Sequence, residues 1–223
     1  MSKFINFISS IPPLIKNKFL KPATFTNSEE YWINRYKQGG NSGAGSYYNL
    51  AEFKADVIND FVAKNEIKSV IELGCGDGNQ LKYFNIPSYI GFDISPLIIQ
   101  KCKTKFNKDK SKQFLLMNEA PNHRADLVLS LDVLFHLVEE ETFNNYLNLL
   151  FDIAEKSVII YAYDNDDPKV FSQHVKPRNF TNWIKENKNE FELIEHIPNK
   201  FPFIESKAST TSFCDFYIFK RRK

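Results

Sequence analysis

Apolar positions along the chain follow two rhythms. Short, nearly continuous apolar runs occupy 68–73 (KSVIEL), 88–93 (SYIGFD), 112–117 (KQFLLM), 125–132 (ADLVLSLD) and 156–163 (KSVIIYAY). Runs of that length with little polar interruption fit strands buried on both faces, as in parallel sheets. Elsewhere the apolar positions recur at helical spacing. Tyr48, Leu50, Phe53, Val57, Ile58, Phe61 and Val62 predict a long helix beginning near Ser46. Leu97, Ile98, Cys102 and Phe106 predict a second behind a Ser95-Pro96 cap, and Phe143, Leu147, Leu150 and Phe151 mark one face of a third from Glu139 to Ala154. Strands alternating with helices imply a sheet covered on both faces and joined by right-handed crossovers. The end of the chain departs from this: 191–197 (FELIEHI) and 212–220 (SFCDFYIFK) are strand candidates separated only by turn-rich sequence, so they should be antiparallel neighbours at one edge. The expected fold class is α/β, a doubly wound, mostly parallel seven-stranded sheet with an antiparallel edge strand and an N-terminal helical arm. Its ligand should lie beyond the carboxyl ends of the first strands.

Glycine is distributed against this background in a telling way. Of the eight glycines, four lie in 39–46 (GGNSGAGS) and three in 72–78 (ELGCGDG). Glycine is costly to order and is useful where φ must be positive or where something must approach the main chain closely. Both stretches therefore read as contact loops, and the second, directly after the first strand and before an expected helix, lies where ligand loops of this architecture occur.

Bulk composition narrows the class. A chain of 223 residues with 43% hydrophobic and 25% charged residues is long enough for one domain with a sizeable core and an appendage. We divide it into an N-terminal arm with a glycine-rich lid (1–45) and a main domain (46–223). The net charge of +2 is too small to make nucleic acid a default partner, and the terminal KRRK reads as a solvated tail. Cys75, Cys102 and Cys214 are odd in number and contain no CxxC pair, which suits a reducing cytoplasm and argues against a disulfide framework or a zinc site. The segment 1–22 is apolar with scattered lysines but too short in its apolar runs to span a bilayer, and its Pro12-Pro13 break fits a signal peptide poorly. Phe4, Phe7, Ile8, Ile11 and Phe19 would pack on the body, the alternative being weak peripheral membrane contact.

The spacing of the second loop bears on its ligand. Gly74, Gly76 and Gly78 form GxGxG rather than the GxGxxG usual for dinucleotides, and Glu72 and Asp77 bring two carboxylates. Two such charges near a pyrophosphate would repel it by roughly several kcal/mol at intermediate dielectric, whereas a cationic ligand would be favoured. S-adenosylmethionine is such a ligand, with a sulfonium and an ammonium and no phosphate. Asp93, ending the second strand, is placed to accept from ribose hydroxyls, a feature that dinucleotide sites share.

These residues, IELGCGDG and GFDIS above all, resemble the class I S-adenosylmethionine-dependent methyltransferases over roughly residues 45 to 165. Further similarity, in YW..RY..GG.SG.GSY and LSLDVLFHLVE, is to bacterial methyltransferases associated with surface-polysaccharide synthesis. The resemblance implies a Rossmann-like methyltransferase fold. It also implies that Glu72, Gly74, Cys75, Gly76 and Gly78 border the methionyl part, Asp93 holds the ribose, and Ile94 packs on adenine. Asn118, or failing it Glu119, would meet the adenine amine, and Leu131 and Asp132 would line the sulfonium side. Tyr31, Arg35, Tyr36, Gly40, Ser42 and Gly43 would form a lid, with Arg35 pairing with the cofactor carboxylate; a plain flexible linker is the competing reading of the glycine-rich stretch.

Methyl transfer chiefly requires alignment of the acceptor and exclusion of water, and some acceptors need a proton removed. The stretch after the fourth strand offers Asp132, His136, Glu139 and Glu140 near the place of an acceptor; His136 is the first candidate for that base and His174, after the fifth strand, the second. Packing beside Phe135 is the competing role for His136, while His123 and His196 look incidental. Lys176 and Arg178, in QHVKPRNF, would suit an anionic acceptor such as a phosphorylated sugar, the alternative being a solvated basic loop. No metal-ligand spacing is visible. The expected activity is O-methylation of a carbohydrate or phosphorylated precursor of a surface polysaccharide, with methylation of another small metabolite or a protein, or a nicotinamide-dependent oxidoreductase or epimerase, as alternatives. The oligomeric state is not readable from the sequence.

Overall fold

The computed structural model describes residues 25–166 and 172–222, so the residues of the expected N-terminal arm up to Thr24 lie outside the described part. Strands β1 (Val70–Leu73), β2 (Tyr89–Asp93), β3 (Lys112–Leu116), β4 (Ala125–Leu131), β5 (Ala154–Ala162), β6 (Phe191–Ile197) and β7 (Asp215–Arg221) form one sheet. Their order is β3-β2-β1-β4-β5-β7-β6. The first five pair in parallel, and β7 runs antiparallel to both β5 and β6, so the antiparallel pair expected from the terminal rhythm closes that end of the sheet.

Strict alternation in the central strands divides the core in two. Val70, Leu127, Leu129, Ile159, Phe216 and Ile218 point to one face, where α2 (Tyr48–Lys64) contributes Ile58 and Phe61 and α3 (Pro96–Lys105) contributes Ile98 and Cys102. Ile71, Leu73, Val128, Val158 and Ile160 point to the other. There they meet Phe143, Leu147, Leu150 and Phe151 of α4 (Glu140–Asp152) and Phe180 and Ile184 of α5 (Phe180–Asn187). This two-sided burial is why the strands read as unbroken apolar runs.

Local signals set the helix ends. Asn27 caps α1 (Ser28–Lys37) by accepting from the Glu30 amide at 2.8 Å, with Glu29 and Glu30 in the first turn and Arg35 and Lys37 in the last, each charge matched to the helix dipole. Ser95 caps α3 and Pro96 opens it, as expected from the sequence.

Three features differ from expectation. The glycine loop is followed by a single 3-10 turn (Gln80–Tyr83), not a helix, because the short connection to β2 holds Asn85 and Pro87 and leaves no room for repeated turns. The short α5 was not anticipated: Phe180 and Ile184 are its only buried side chains, too few for a periodic signal, and its N-terminus is fixed instead by Asn179 accepting from Asn182. Finally, Lys220 and Arg221 of the basic terminus belong to β7. Arg221 donates to the Ala154 carbonyl at 2.9 Å and lies over Phe191 at 4.5 Å, and Arg222 pairs with Glu192 at 3.2 Å. The terminus completes the sheet instead of trailing in solvent.

Candidate active site

The loop after β1 turns through three left-handed glycines, Gly74 (φ 86°), Gly76 (55°) and Gly78 (63°). At Gly76 the absent side chain is also a matter of space, since a Cβ would meet Ser42 Oγ at 2.2 Å. The destination of the loop's amides is decisive for ligand class. Gly74 and Cys75 donate to the Phe92 carbonyl (2.8 and 2.9 Å), Gly76 to Asp93 Oδ2 (3.0 Å), Asp77 to Ser42 Oγ (2.8 Å) and Gly78 to the Cys75 carbonyl (3.3 Å). Five consecutive donors are thus engaged within the protein. With no α-helix N-terminus behind them, the loop offers no phosphate cradle.

Beyond the loop lies a cavity of about 350 Å³, walled by Gly74, Cys75, Gly76, Asp93, Ile94, Met117, Leu131, Asp132 and Val133 from the strand ends, by Thr142, Asn145, Tyr146 and Leu149 of α4, and by Ser28, Trp32 and Tyr36 of α1. Asp93 is its buried acid. Besides Gly76, it accepts from the Ser95 amide at 2.9 Å, and burial pushes its carboxyl up to about 6. Tyr146 reaches back from α4 to donate to the Leu73 carbonyl at 2.9 Å and meets Ser130 Oγ at 2.8 Å, fixing the floor.

A second cavity, of about 310 Å³, adjoins the first. Tyr31, Arg35, Gly43, Phe135, Tyr163, His174, Phe203 and Ser212 are among its walls, and Trp32, Ser42, Asp132 and His136 line both cavities. α1 and the loop behind it form the roof. Ser28 donates its amide to Glu139 Oε1 (3.0 Å) and accepts from the Val138 amide (2.9 Å), while Asp77 accepts from the Ser42 amide (3.1 Å) and from Tyr47 Oη (2.7 Å).

The shared wall has an organised chemistry. His136 Nδ1 lies 3.0 Å from the His174 carbonyl. A carbonyl only accepts, so Nδ1 carries the proton and Nε2 the lone pair. Burial holds this imidazole down to about 4, and its ring is clasped between Trp32 (4.8 Å, edge-on) and His174 (5.5 Å, parallel). Asp132 adopts a left-handed backbone (φ 60°), unusual for a residue with a side chain. Its Oδ2 meets Lys54 Nζ at 2.5 Å. Lys54 is 0% exposed and lies 5.1 Å from the Tyr161 ring centre, and a Cβ on Gly45 would collide with the same carboxylate oxygen at 2.5 Å. A buried cation, a strained backbone and an obligatory glycine all converge on one carboxylate, a concentration of local cost typical of working sites.

Residues 47–183 match the model of a family described as a methyltransferase domain, which is more than half of the chain. The chain belongs to that family. No curated protein sequence matches it. Among solved structures, magnesium protoporphyrin IX methyltransferase from Synechocystis PCC 6803, with bound S-adenosylhomocysteine, is 14% identical and covers 87% of this chain and 98% of its own, with a TM-score of 0.64. The N-methyltransferase NodS from Bradyrhizobium japonicum WM9, in complex with the same compound, is 11% identical, covers 89% and 100%, and has a TM-score of 0.67. An S-adenosylmethionine-dependent methyltransferase from Clostridium acetobutylicum ATCC 824 is 10% identical, covers 86% and 97%, and has a TM-score of 0.59. At such identities the likeness is one of fold: the seven-stranded methyltransferase sheet.

Several site residues fall elsewhere than the sequence suggested. Glu72 does not line the cavity: it is buried beneath the loop, accepting from Tyr89 Oη (2.5 Å) and Gln80 Nε2 (2.8 Å), with its carboxyl pushed up to about 7 by burial. Asp77 is occupied with the roof. The acids lining the cavity are Asp93 and Asp132 at the strand ends and Glu29 of α1, so the charge argument passes to them, and the engaged amides disfavour the diphosphate independently. Gly78 stands behind the cavity wall, where a Cβ would touch Phe106 at 2.9 Å. Asn118 and Glu119 are exposed on a 3-10 turn, Glu119 accepting from the Leu116 amide at 3.0 Å, and it is Met117 that faces the cavity. Arg35 lines the second cavity and not the first. Lys176 and Arg178 line neither. Both pair with Glu140, and Arg178 also donates to the Leu137 and Val138 carbonyls at 2.6 and 2.8 Å, bracing the segment that carries His136. The sequence does not single out Lys54 or Tyr146, because a lysine or a tyrosine on a helix ordinarily reaches solvent with its polar end.

Proposed function

We propose that the protein transfers the methyl group of S-adenosylmethionine to an oxygen of a small polar acceptor. The observation that carries this reading is the meeting of two cavities at a wall made of Asp132 and His136, one cavity holding the cofactor and the other the acceptor. The donor set of the first suits the cofactor: Asp93 for ribose hydroxyls, Ile94 and Met117 for a flat apolar base, and acids without phosphate donors for a cationic ligand. When bound, it supplies an electrophilic methyl on a positively charged sulfur. The chain's residues then align and deprotonate. His136 Nε2, unprotonated at neutral pH, would take the acceptor's hydroxyl proton, while the cofactor would supply its methyl carbon to that oxygen and leave as the neutral thioether. Trp32, Tyr36 and the roof loop exclude water.

For the acceptor we favour a carbohydrate or phosphorylated precursor of a surface polysaccharide, a reading supported by the sequence resemblance and by the aromatic walls of the second cavity. We likewise take residues 1–45 as arm and lid and 46–223 as the catalytic domain. A cytoplasmic setting agrees with three cysteines that are all free. No helix among the described residues is long and apolar enough to cross a membrane.

Calorimetric titration with S-adenosylhomocysteine and with NAD tests the cofactor: the first should bind and the second should not, and the reverse result ends the methyl-transfer reading. His136→Ala should lower the rate about a hundredfold while S-adenosylhomocysteine affinity stays within a factor of a few. Labelled cofactor with fractionated cell extract, read by product mass, identifies the acceptor and retention of full activity by the variant removes His136 as base.

A further inference from the structure

We propose that the second cavity is built for a single-ring acceptor carrying an anionic group, carboxylate or phosphate, and that Arg35 is the residue that recognises the charge. The inference rests on the methyl-transfer reading of the adjoining cavity, and it reassigns Arg35 from cofactor to acceptor.

Four observations support it. First, Arg35 lines the second cavity and is absent from the walls of the first. Second, its guanidinium is held in place and largely unspent. Nε donates to the Asn41 carbonyl at 2.8 Å, Nη2 makes a long contact with Asn41 Oδ1 at 3.4 Å, and the Trp32 ring lies at 5.6 Å. No carboxylate among the described residues pairs with it, so much of a five-donor fork that fits carboxylate and phosphate remains available. Third, the charge balance of the cavity is positive. Among the described residues Asp132 is its one acidic wall residue and is already met from behind by Lys54, leaving Arg35, whose field adds to burial in disfavouring protonation of both His136 and His174. Fourth, the remaining walls are flat. Tyr31 stacks on His174 at 4.2 Å, His174 lies parallel to His136, and Trp32, Phe135 and Phe203 add further faces. Aromatic faces suit the apolar face of a ring, and about 310 Å³ suits a small molecule rather than a polymer. The ring's hydroxyl would then face His136 while its anionic substituent reaches Arg35.

The test is calorimetric titration of the full chain, saturated with S-adenosylhomocysteine, using millimolar glucuronate, glucose 6-phosphate, 4-hydroxybenzoate and glucose, on the wild type, Arg35→Gln and Arg35→Lys. At least one anionic probe should bind about ten- to a hundredfold tighter than glucose, and Arg35→Gln should erase that advantage without changing S-adenosylhomocysteine affinity. Which anionic probe wins tells whether the ring is a sugar or an aromatic and whether the anion is carboxylate or phosphate. If Arg35→Gln fails to fold, Arg35→Lys carries the test, with the advantage reduced severalfold because an ammonium cannot form the fork. Anionic probes no better than glucose overturn the proposal while the cofactor reading stands. So does a loss of S-adenosylhomocysteine affinity in Arg35→Gln, which would return Arg35 to the cofactor. A wild type that binds no S-adenosylhomocysteine overturns the cofactor reading and the acceptor role of this cavity with it.

Discussion

Asp93, Asp132 and Lys54 show how single side chains can be asymmetric in their consequences. Asp93→Ala removes a buried acceptor at the cavity, so S-adenosylhomocysteine affinity should fall by about 1 to 3 kcal/mol, and unchanged affinity would contradict its ribose role. In the wild type the same affinity should weaken as pH drops through about 6, where Asp93 gains its proton and loses accepting capacity. The Lys54–Asp132 pair predicts an imbalance in stability. Lys54 is sealed in the core, whereas the Asp132 side chain retains 17% exposure to the cavity. Asp132→Ala strands a buried cation and should cost about 3 to 5 kcal/mol, and Lys54→Met, which leaves the carboxylate facing water, should cost clearly less. Denaturant unfolding of both variants checks the order, and equal losses would count against it. These three residues were unequally legible. Asp93 is marked by its place at a strand end, Asp132 by the motif around it, and Lys54 by nothing, because a lysine on a helix normally reaches solvent.

At the level of elements, the roof and the terminal strand carry the tests. Ser42 joins the roof to the glycine loop by accepting from the Asp77 amide and donating its own amide to Asp77 Oδ2. Gly76→Ala adds a Cβ 2.2 Å from Ser42 Oγ and must part that contact, so cofactor affinity should fall sharply. Gly39→Ala, at φ 84° with nothing within 4 Å, should cost only the backbone strain of about 1 to 2 kcal/mol and leave binding alone. Deleting residues 220–223 removes the end of β7 and its contacts with Ala154 and Phe191, and should lower the melting temperature by several degrees. A solvated tail would have been dispensable. The basic composition of KRRK suggested solvent because charge alone does not reveal that an aromatic ring and a carbonyl await it.

For the molecule as a whole, buried ionisable groups set the dependence of stability on pH. Glu72 and Asp93 have folded-state values of about 7 and about 6, above their unfolded values, so the folded form holds more protons and stability declines as pH rises from about 4 through 7. His136, lowered to about 4, acts oppositely: its contribution is complete above its unfolded value and is lost as pH falls toward 4. Glu72 declines throughout pH 5 to 7 and Asp93 only up to about 6, against rising contributions from His136 and from His174, which burial also lowers. Glu72→Gln should therefore make unfolding midpoints of the cofactor-free protein rise more, or fall less, from pH 5 to 7 than in the wild type, and a profile unchanged in that variant would refute the assignment. By itself the sequence determined the sheet, its glycine turn and the acid ending β2, because burial on two faces and left-handed turns impose local residue choices. Only the tertiary structure decided which acids face the cavity, where the loop amides go, that Arg178 braces while Arg35 is left to act, and that two cavities meet at His136. Those outcomes depend on side chains from distant segments arriving at one place, and neither periodicity nor composition records that convergence.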